Sequence, residues 1–242
     1  MKLFLTSSPC DDDAARGLGI PFVFAEANGM AEALRRSVQP GARGLMIAAW
    51  PDNHGRNDAM AADFASAFAA LGRPLRSMAM LDSRRADRCG ELVRESDVIL
   101  LSGGHVPTQN RFFHAIRLKE ALRGCDGVVM GISAGSMNCC GEVYAQPEEP
   151  GEAVDPHFRR FLEGLDLTDV MILPHYQREK DGRVDGLRLY EDLTIPDSRG
   201  RRFVAIPDFS YVSVEGRRAV LCGEGWLIED GAQPVRISDT AL

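Results

Sequence analysis

The segment Val128-Val129-Met130-Gly131-Ile132-Ser133-Ala134-Gly135-Ser136 sets a serine between two glycines at the end of an apolar, β-branched run. A serine hydroxyl attacks a carbonyl only when it is held clear of its neighbours and a base takes its proton. A buried strand running into Gly-x-Ser-x-Gly and then a helix start meets the first condition, because flanking glycines relieve the crowding of a tight, strained turn. Ser133 is therefore the candidate nucleophile. The same short pattern also ends ordinary core strands, so its weight depends on what accompanies it.

Two companions lie at strand ends. Val98-Ile99-Leu100-Leu101-Ser102-Gly103-Gly104 ends in a glycine pair that lets backbone approach a ligand closely. The amides of Gly104 and Ala134 are thus candidate donors to an oxyanion, the latter opening the helix after Ser133. Met171-Ile172-Leu173-Pro174-His175 follows a buried-looking strand with an imidazole, whose pKa suits a base near neutrality. Of the five histidines, His54 and His105 sit on loops of the same edge and are lesser candidates for base or substrate contact. His114 reads as helical and His157 as part of a polar connection.

These residues need a scaffold that brings strand ends together. From Lys2 to about Tyr176 short apolar runs alternate with segments of helical period, as in a parallel sheet with helices on its faces. The expected strands are 3–7, 44–49, 75–81, 98–101, 128–132 and 170–173. A helix is expected from Asn57 or Asp58 to Leu71, stopped by Gly72, with Phe64, Ala67, Phe68 and Leu71 facing the sheet. Residues 203–213 read as strand, turn, strand, and 218–227 with 233–237 as a closing β-meander. The whole chain, 1–242, is expected to form a single domain.

Composition narrows the partners. A net charge of -7 without a basic stripe argues against nucleic acid, which needs clustered Lys and Arg to displace counterions. No apolar run approaches the ~20 residues of a membrane span. The apolar start Met1–Leu5 gives way to Thr6 and then Asp11-Asp12-Asp13, so it reads as a first strand, not a leader. Six scattered cysteines suit reduced thiols in the cytoplasm and show no zinc-clasping spacing, so no metal or cofactor is expected. Cys139 and Cys140 read as buried helix residues. The expected partner is a small peptide substrate, and the oligomeric state, monomer or homodimer, stays open.

A strand ending in Gly103-Gly104, a Gly131-to-Gly135 elbow around Ser133, and Pro174-His175-Tyr176, in that order, resemble the serine peptidases that include aspartyl dipeptidase (peptidase E) and cyanophycinase. The likeness runs from Gly44 to about Val214. It implies a three-layer α/β/α, flavodoxin-like sandwich of the class I glutamine amidotransferase type, with serine where those enzymes carry cysteine. Only 42 positions separate Ser133 from His175, which leaves little room for the strands an α/β-hydrolase places between them. The resemblance aligns Asp208 with the family's strand-end acid. Glu148 or Glu149 is the rival third member, and Asp208 is preferred because a short side chain at a strand end is held more rigidly.

The resemblance further implies hydrolysis of dipeptides or short peptides with an N-terminal aspartyl residue through an acyl-enzyme. His105 stands where peptidase E has asparagine, which loosens that specificity and makes His105 a candidate substrate contact. Arg178, Arg183 and Arg188 are available for a substrate carboxylate, and Arg188 lies nearest the family's arginine-bearing segment. The alternatives are an isoaspartyl or cyanophycin-type peptidase, an esterase, or a non-catalytic binding protein on the same scaffold.

Overall fold

The computed structural model describes all 242 residues. Five of the expected strand windows form the parallel part of a seven-stranded sheet: β1 (Lys2–Thr6), β2 (Arg43–Ile47), β3 (Ser77–Leu81), β4 (Val98–Leu101) and β5 (Val128–Ile132), ordered β1-β5-β4-β2-β3. Side chains alternate between its faces. Leu3, Leu5, Leu45, Ile47, Ile99, Leu101 and Val129 enter one apolar cluster, while Phe4, Met46, Leu100 and Met130 enter another. Each face is covered by helices, so both rows are buried, as a parallel sheet requires.

Over the second cluster lie α2 (Met30–Ser37) and α3 (His54–Ala70), reached after the short α1 (Asp12–Leu18). Over the first lie α4 (Cys89–Arg94), α5 (Val106–Ala115), α6 (Leu118–Ala121) and α7 (Ala134–Met137). Phe64, Ala67, Phe68 and Leu71 are buried against the sheet as their spacing predicts. Helix α3 begins a turn earlier than expected. Asn53 is its N-cap, and the Asn57 amide side chain is spent inside, donating to the Trp50 carbonyl and to Asp82. Gly72 ends the helix at φ +76°, where Arg73 N–H reaches back to the Phe68 carbonyl.

The remaining strands depart from the sequence reading in their partners. A short ribbon pairs β6 (Glu142–Tyr144) with β7 (Phe161–Glu163). The next strand, β8 (Met171–Leu173), does not join the central sheet. After the small hairpin β9 (Arg183–Val184) and β10 (Leu187–Arg188), β8 pairs in parallel with β11 (Arg202–Ala205) in a second sheet. The free side of β1 is taken instead by β12 (Tyr211–Glu215), antiparallel, which is followed by β13 (Arg218–Cys222).

The expected closing meander is therefore split. At Gly223 (φ +94°) the chain leaves the central sheet, and β14 (Glu224–Glu229) and β15 (Val235–Ser238) complete the second, ordered β15-β14-β11-β8. A side chain at Gly223 would meet Asn28 Nδ2 at 2.5 Å, so the turn demands glycine. The fold is a mixed α/β sandwich with a large, mostly parallel central sheet. No helix is long and apolar enough to cross a membrane.

Candidate active site

Ser133 follows β5 in a backbone conformation, φ 52° and ψ -116°, that a side-chain-bearing residue adopts only under strain. Its surroundings hold it there. Ser133 N–H donates to the carbonyls of Thr6 (3.0 Å) and Ser7 (3.2 Å), and its own carbonyl accepts from Ser136 N–H at 2.8 Å. Ser136 Oγ donates to the Thr6 carbonyl and accepts the Thr6 N–H, fastening the turn to the end of β1. The glycines are needed for space. A Cβ at Gly131 would lie 2.6 Å from Ser136 Cα, and one at Gly135 would lie 2.2 Å from the Leu101 carbonyl oxygen.

His175 follows β8 at φ 60° and opens α8 (Tyr176–Glu179). Its Nε2 lies 3.0 Å from Ser133 Oγ, and its Nδ1 lies 2.7 Å from Asp208 Oδ1. A carboxylate at Nδ1 fixes that nitrogen as the proton-bearing one and leaves Nε2 as acceptor for the serine hydroxyl. Asp208 sits where the chain crosses from β11, in the second sheet, to β12, in the first. Its Oδ1 also accepts from Ser7 Oγ (2.6 Å) and Ser8 N–H (3.1 Å), and its Oδ2 accepts from Gln177 Nε2.

Burial alone would raise the Asp208 pKa. The hydrogen bonds from His175 and Ser7, with the charges of His175 and Arg178, outweigh it and hold the carboxyl well below the usual range. Asp208 is thus a fixed anion beside the imidazole. Ser7 does double duty, since its Oγ also accepts the His175 backbone N–H at 2.8 Å.

These groups open onto a cavity of about 290 Å³ lined by Gly104, Ser133, Ala134, Glu148, His175 and Arg183, among others. Neither the Gly104 nor the Ala134 amide donates to an acceptor within the protein, so both are available to a ligand. A Cβ at Gly104 would strike Ala49 Cβ at 2.6 Å, which explains the glycine pair. A larger groove, about 1000 Å³, runs past Lys2, Gln39, Asp97 and Gly127 at the opposite strand ends and contains no histidine.

Not every expected residue reaches the cavity. His105 is buried, its Nδ1 2.8 Å from Thr108 Oγ1, its Nε2 2.8 Å from Glu152 Oε1, and its ring stacked on Trp50. Its hydrogen-bonding capacity is spent within the protein, which corrects its reading as a substrate contact. Arg188 is likewise engaged elsewhere, pairing with Asp192 one helical turn on, and Arg183 takes its place on the cavity wall. Asp192 is held at about 2 by that pairing. Glu148 does line the cavity, but its carboxylate bonds the Val106 N–H and not His175.

Elsewhere, His54 contacts Ser83, and His114 the Glu163 carbonyl. Cys139 and Cys140 are buried as expected, though not in the helix: Cys139 is in the turn after α7 and Cys140 forms an isolated bridge with Thr168. Ser7 and Gln177 were not read as site residues. A hydroxyl just past the C-terminal end of β1, at the edge where Gly104, Ser133 and His175 meet, was the available signal for Ser7.

A hydroxyl, an imidazole and a half-buried carboxylate hydrogen-bonded in sequence, with the serine at the carboxyl end of a parallel strand, match the arrangement of serine hydrolases. Residues 48–222 match the model of peptidase family S51. The chain belongs to that family, and it is a serine-type peptidase. Among solved structures it is similar to a peptidase from an acI-B1 actinobacterium, with 18% identity, a TM-score of 0.60, and coverage of 100% of this chain and 96% of that one. It is also similar to a protein assigned as peptidase E from Listeria monocytogenes EGD-e, with 16% identity, a TM-score of 0.61, and coverage of 91% and 96%. Both likenesses concern the fold. No curated protein matches the sequence.

Proposed function

We propose that Ser133, His175 and Asp208 form the catalytic triad of a peptidase that cleaves dipeptides or short peptides bearing an acidic N-terminal residue. The observation that carries the proposal is the bridging position of His175, 3.0 Å from Ser133 Oγ on one side and 2.7 Å from Asp208 on the other. His175 Nε2 takes the hydroxyl proton as Ser133 Oγ attacks the scissile carbonyl, and the amides of Gly104 and Ala134 receive the oxyanion. His175 then returns the proton to the leaving amine, and the acyl-enzyme forms. Water, deprotonated by the same nitrogen, attacks the ester and regenerates Ser133. Asp208 stays ionised throughout and stabilises the imidazolium. These steps draw on side chains and water and call for no cofactor.

The substrate reading is supported by the wall. A cavity of about 290 Å³ suits a short peptide, at the low end of the range for small-ligand sites. Arg183, on the β9–β10 hairpin, supplies the cation that a substrate carboxylate would meet. Six unpaired cysteines agree with a reducing compartment, and the cytoplasm is the proposed location.

A fluorophosphonate should label the wild type and not Ser133→Ala. Rates on Asp-Xaa, β-Asp-Xaa and ester substrates should then favour Asp-Xaa. An unlabelled wild type would exclude the triad mechanism, and a preference for β-Asp-Xaa or esters would redirect the specificity alone.

A further inference from the structure

Glu148 is one of two acids lining the cavity that holds Gly104, Val106 and Ala134; the other, Glu179, is on α8, the helix that follows His175. The Glu148 carboxylate accepts the Val106 N–H, two residues beyond Gly104, at 3.3 Å. Its placement is engineered by the loop beneath it. Glu152 Oε2 accepts the backbone N–H groups of both Glu148 (2.9 Å) and Glu149 (3.0 Å). Glu152 Oε1 is in turn held by His105, whose other ring nitrogen meets Thr108. A chain of hydrogen bonds from α5 thus fixes the loop and delivers one carboxylate to the cavity.

Position narrows what that carboxylate meets. In a substrate whose scissile carbonyl oxygen rests on the Gly104 and Ala134 amides, the α-nitrogen of the N-terminal residue is joined to the carbon next to that carbonyl. It must lie near the oxyanion donors, in the cavity that Glu148 lines with Gly104 and Ala134. The leaving group departs on the side of His175 and Glu179. Glu148 is exposed to solvent, yet the protein beside it desolvates its carboxylate. Burial, reinforced by Glu152 and Glu149, raises its pKa despite His105 and the Val106 amide. A carboxylate so short of compensating charge gains from a cation brought alongside.

We infer that Glu148 receives the free α-ammonium group of the substrate, so that the enzyme reads an unblocked N-terminus as well as a side chain. The inference rests on the serine-peptidase reading of the same cavity. His105 is then a positioning residue, acting through Glu152 on the Glu148 loop.

The test uses the full-length protein and a panel of aminoacyl p-nitroanilides, each with a free and an N-acetylated amine. Wild type should favour the free amine. Glu148→Gln should raise KM for the free-amine substrates about 10- to 100-fold, the range set by loss of one charged hydrogen bond. The acetylated series should lose far less, so that the preference for a free amine falls by that same factor, and a fluorophosphonate should still label Ser133. His105→Ala should reproduce the KM effect with kcat little changed, and His105→Gln, which can still bond Glu152, should restore it in part. Equal losses on both series, or none, would overturn the role of Glu148 while leaving the triad standing. A wild type that no fluorophosphonate labels would overturn the peptidase mechanism and this inference with it.

Discussion

The Ser7 hydroxyl donates a 2.6 Å hydrogen bond to Asp208 Oδ1, although the two residues lie 201 positions apart. Through the His175 N–H that it accepts, the same hydroxyl also sets the backbone that carries the base. Ser7→Ala leaves that N–H without its partner and removes one donor from the carboxylate, at a cost of about 1–3 kcal/mol. The expected kinetic result is a fall in kcat of roughly tenfold with KM nearly unchanged, since no substrate contact is lost. Steady-state kinetics would show it, and a kcat within twofold of wild type would reduce Ser7 to a space-filler.

Asp208→Asn should lower kcat by about 10⁴-fold, because an amide cannot enforce the tautomer that frees His175 Nε2. It should also flatten the acid limb of stability. The folded-state pKa of Asp208 lies below its unfolded value of about 3.9, so its stabilising contribution is complete above about pH 5 and is lost as pH falls toward the folded value. Urea denaturation from pH 7 to pH 3 should find wild type and Asp208→Asn converging in acid. A constant difference across that range would mean that the carboxylate is not held as the geometry implies.

Ser133 carries opposed demands of chemistry and backbone. Ser133→Gly and Ser133→Ala both remove the nucleophile, with an expected loss of about 10⁴- to 10⁶-fold in kcat. Only glycine relaxes the φ of 52°, so Ser133→Gly should exceed Ser133→Ala in stability by about 1 kcal/mol. Paired thermal melts decide this, and equal midpoints would mean the turn is unstrained.

At Gly135 the demand is spatial. The added methyl of Gly135→Ala would sit 2.2 Å from the Leu101 carbonyl, a clash with backbone that no rotamer change relieves. A loss of about 2–3 kcal/mol is expected, together with loss of activity as β4 and the elbow move apart. Calorimetry would register it as a drop of several degrees in Tm.

Two arginines five positions apart separate wall from surface. Arg183→Ala should weaken kcat/KM for acidic N-terminal residues by about 10- to 100-fold and leave neutral ones nearly untouched. Arg188→Ala removes an exposed ion pair with Asp192 and should change neither activity nor stability by more than a few tenths of a kcal/mol. The reverse pattern would return the carboxylate contact to Arg188.

The local features of this fold were legible where the signal is local. The apolar runs of β1 to β5, the stop at Gly72 and the Ser133 elbow each depend on a few adjacent residues, and each stands where the sequence puts it, to within a residue or two. Asn57 looks like an N-cap in isolation but is drawn inside by Trp50 and Asp82. The pairing of β8 was not legible, because Met171-Ile172-Leu173 carries an apolar pattern that suits either sheet and only the closure of β12 onto β1 decides the matter. His105 and Arg188 show the same limit. The loop position of His105 is legible and the hairpin that carries Arg188 is not, and Glu152 and Asp192, which engage these two residues, cannot be identified from spacing alone.

The division of the closing strands between two sheets bears on when the molecule becomes dangerous to its neighbours. Ser133 ends a strand of the first sheet, His175 ends a strand of the second, and Asp208 rides on the crossing between them. A chain still emerging from the ribosome lacks the acid until its last quarter is made, and a chain whose sheets have not docked keeps serine and imidazole apart. Under the proposed triad, latency during synthesis follows from the topology itself, and cleavage activity becomes a readout of completed assembly.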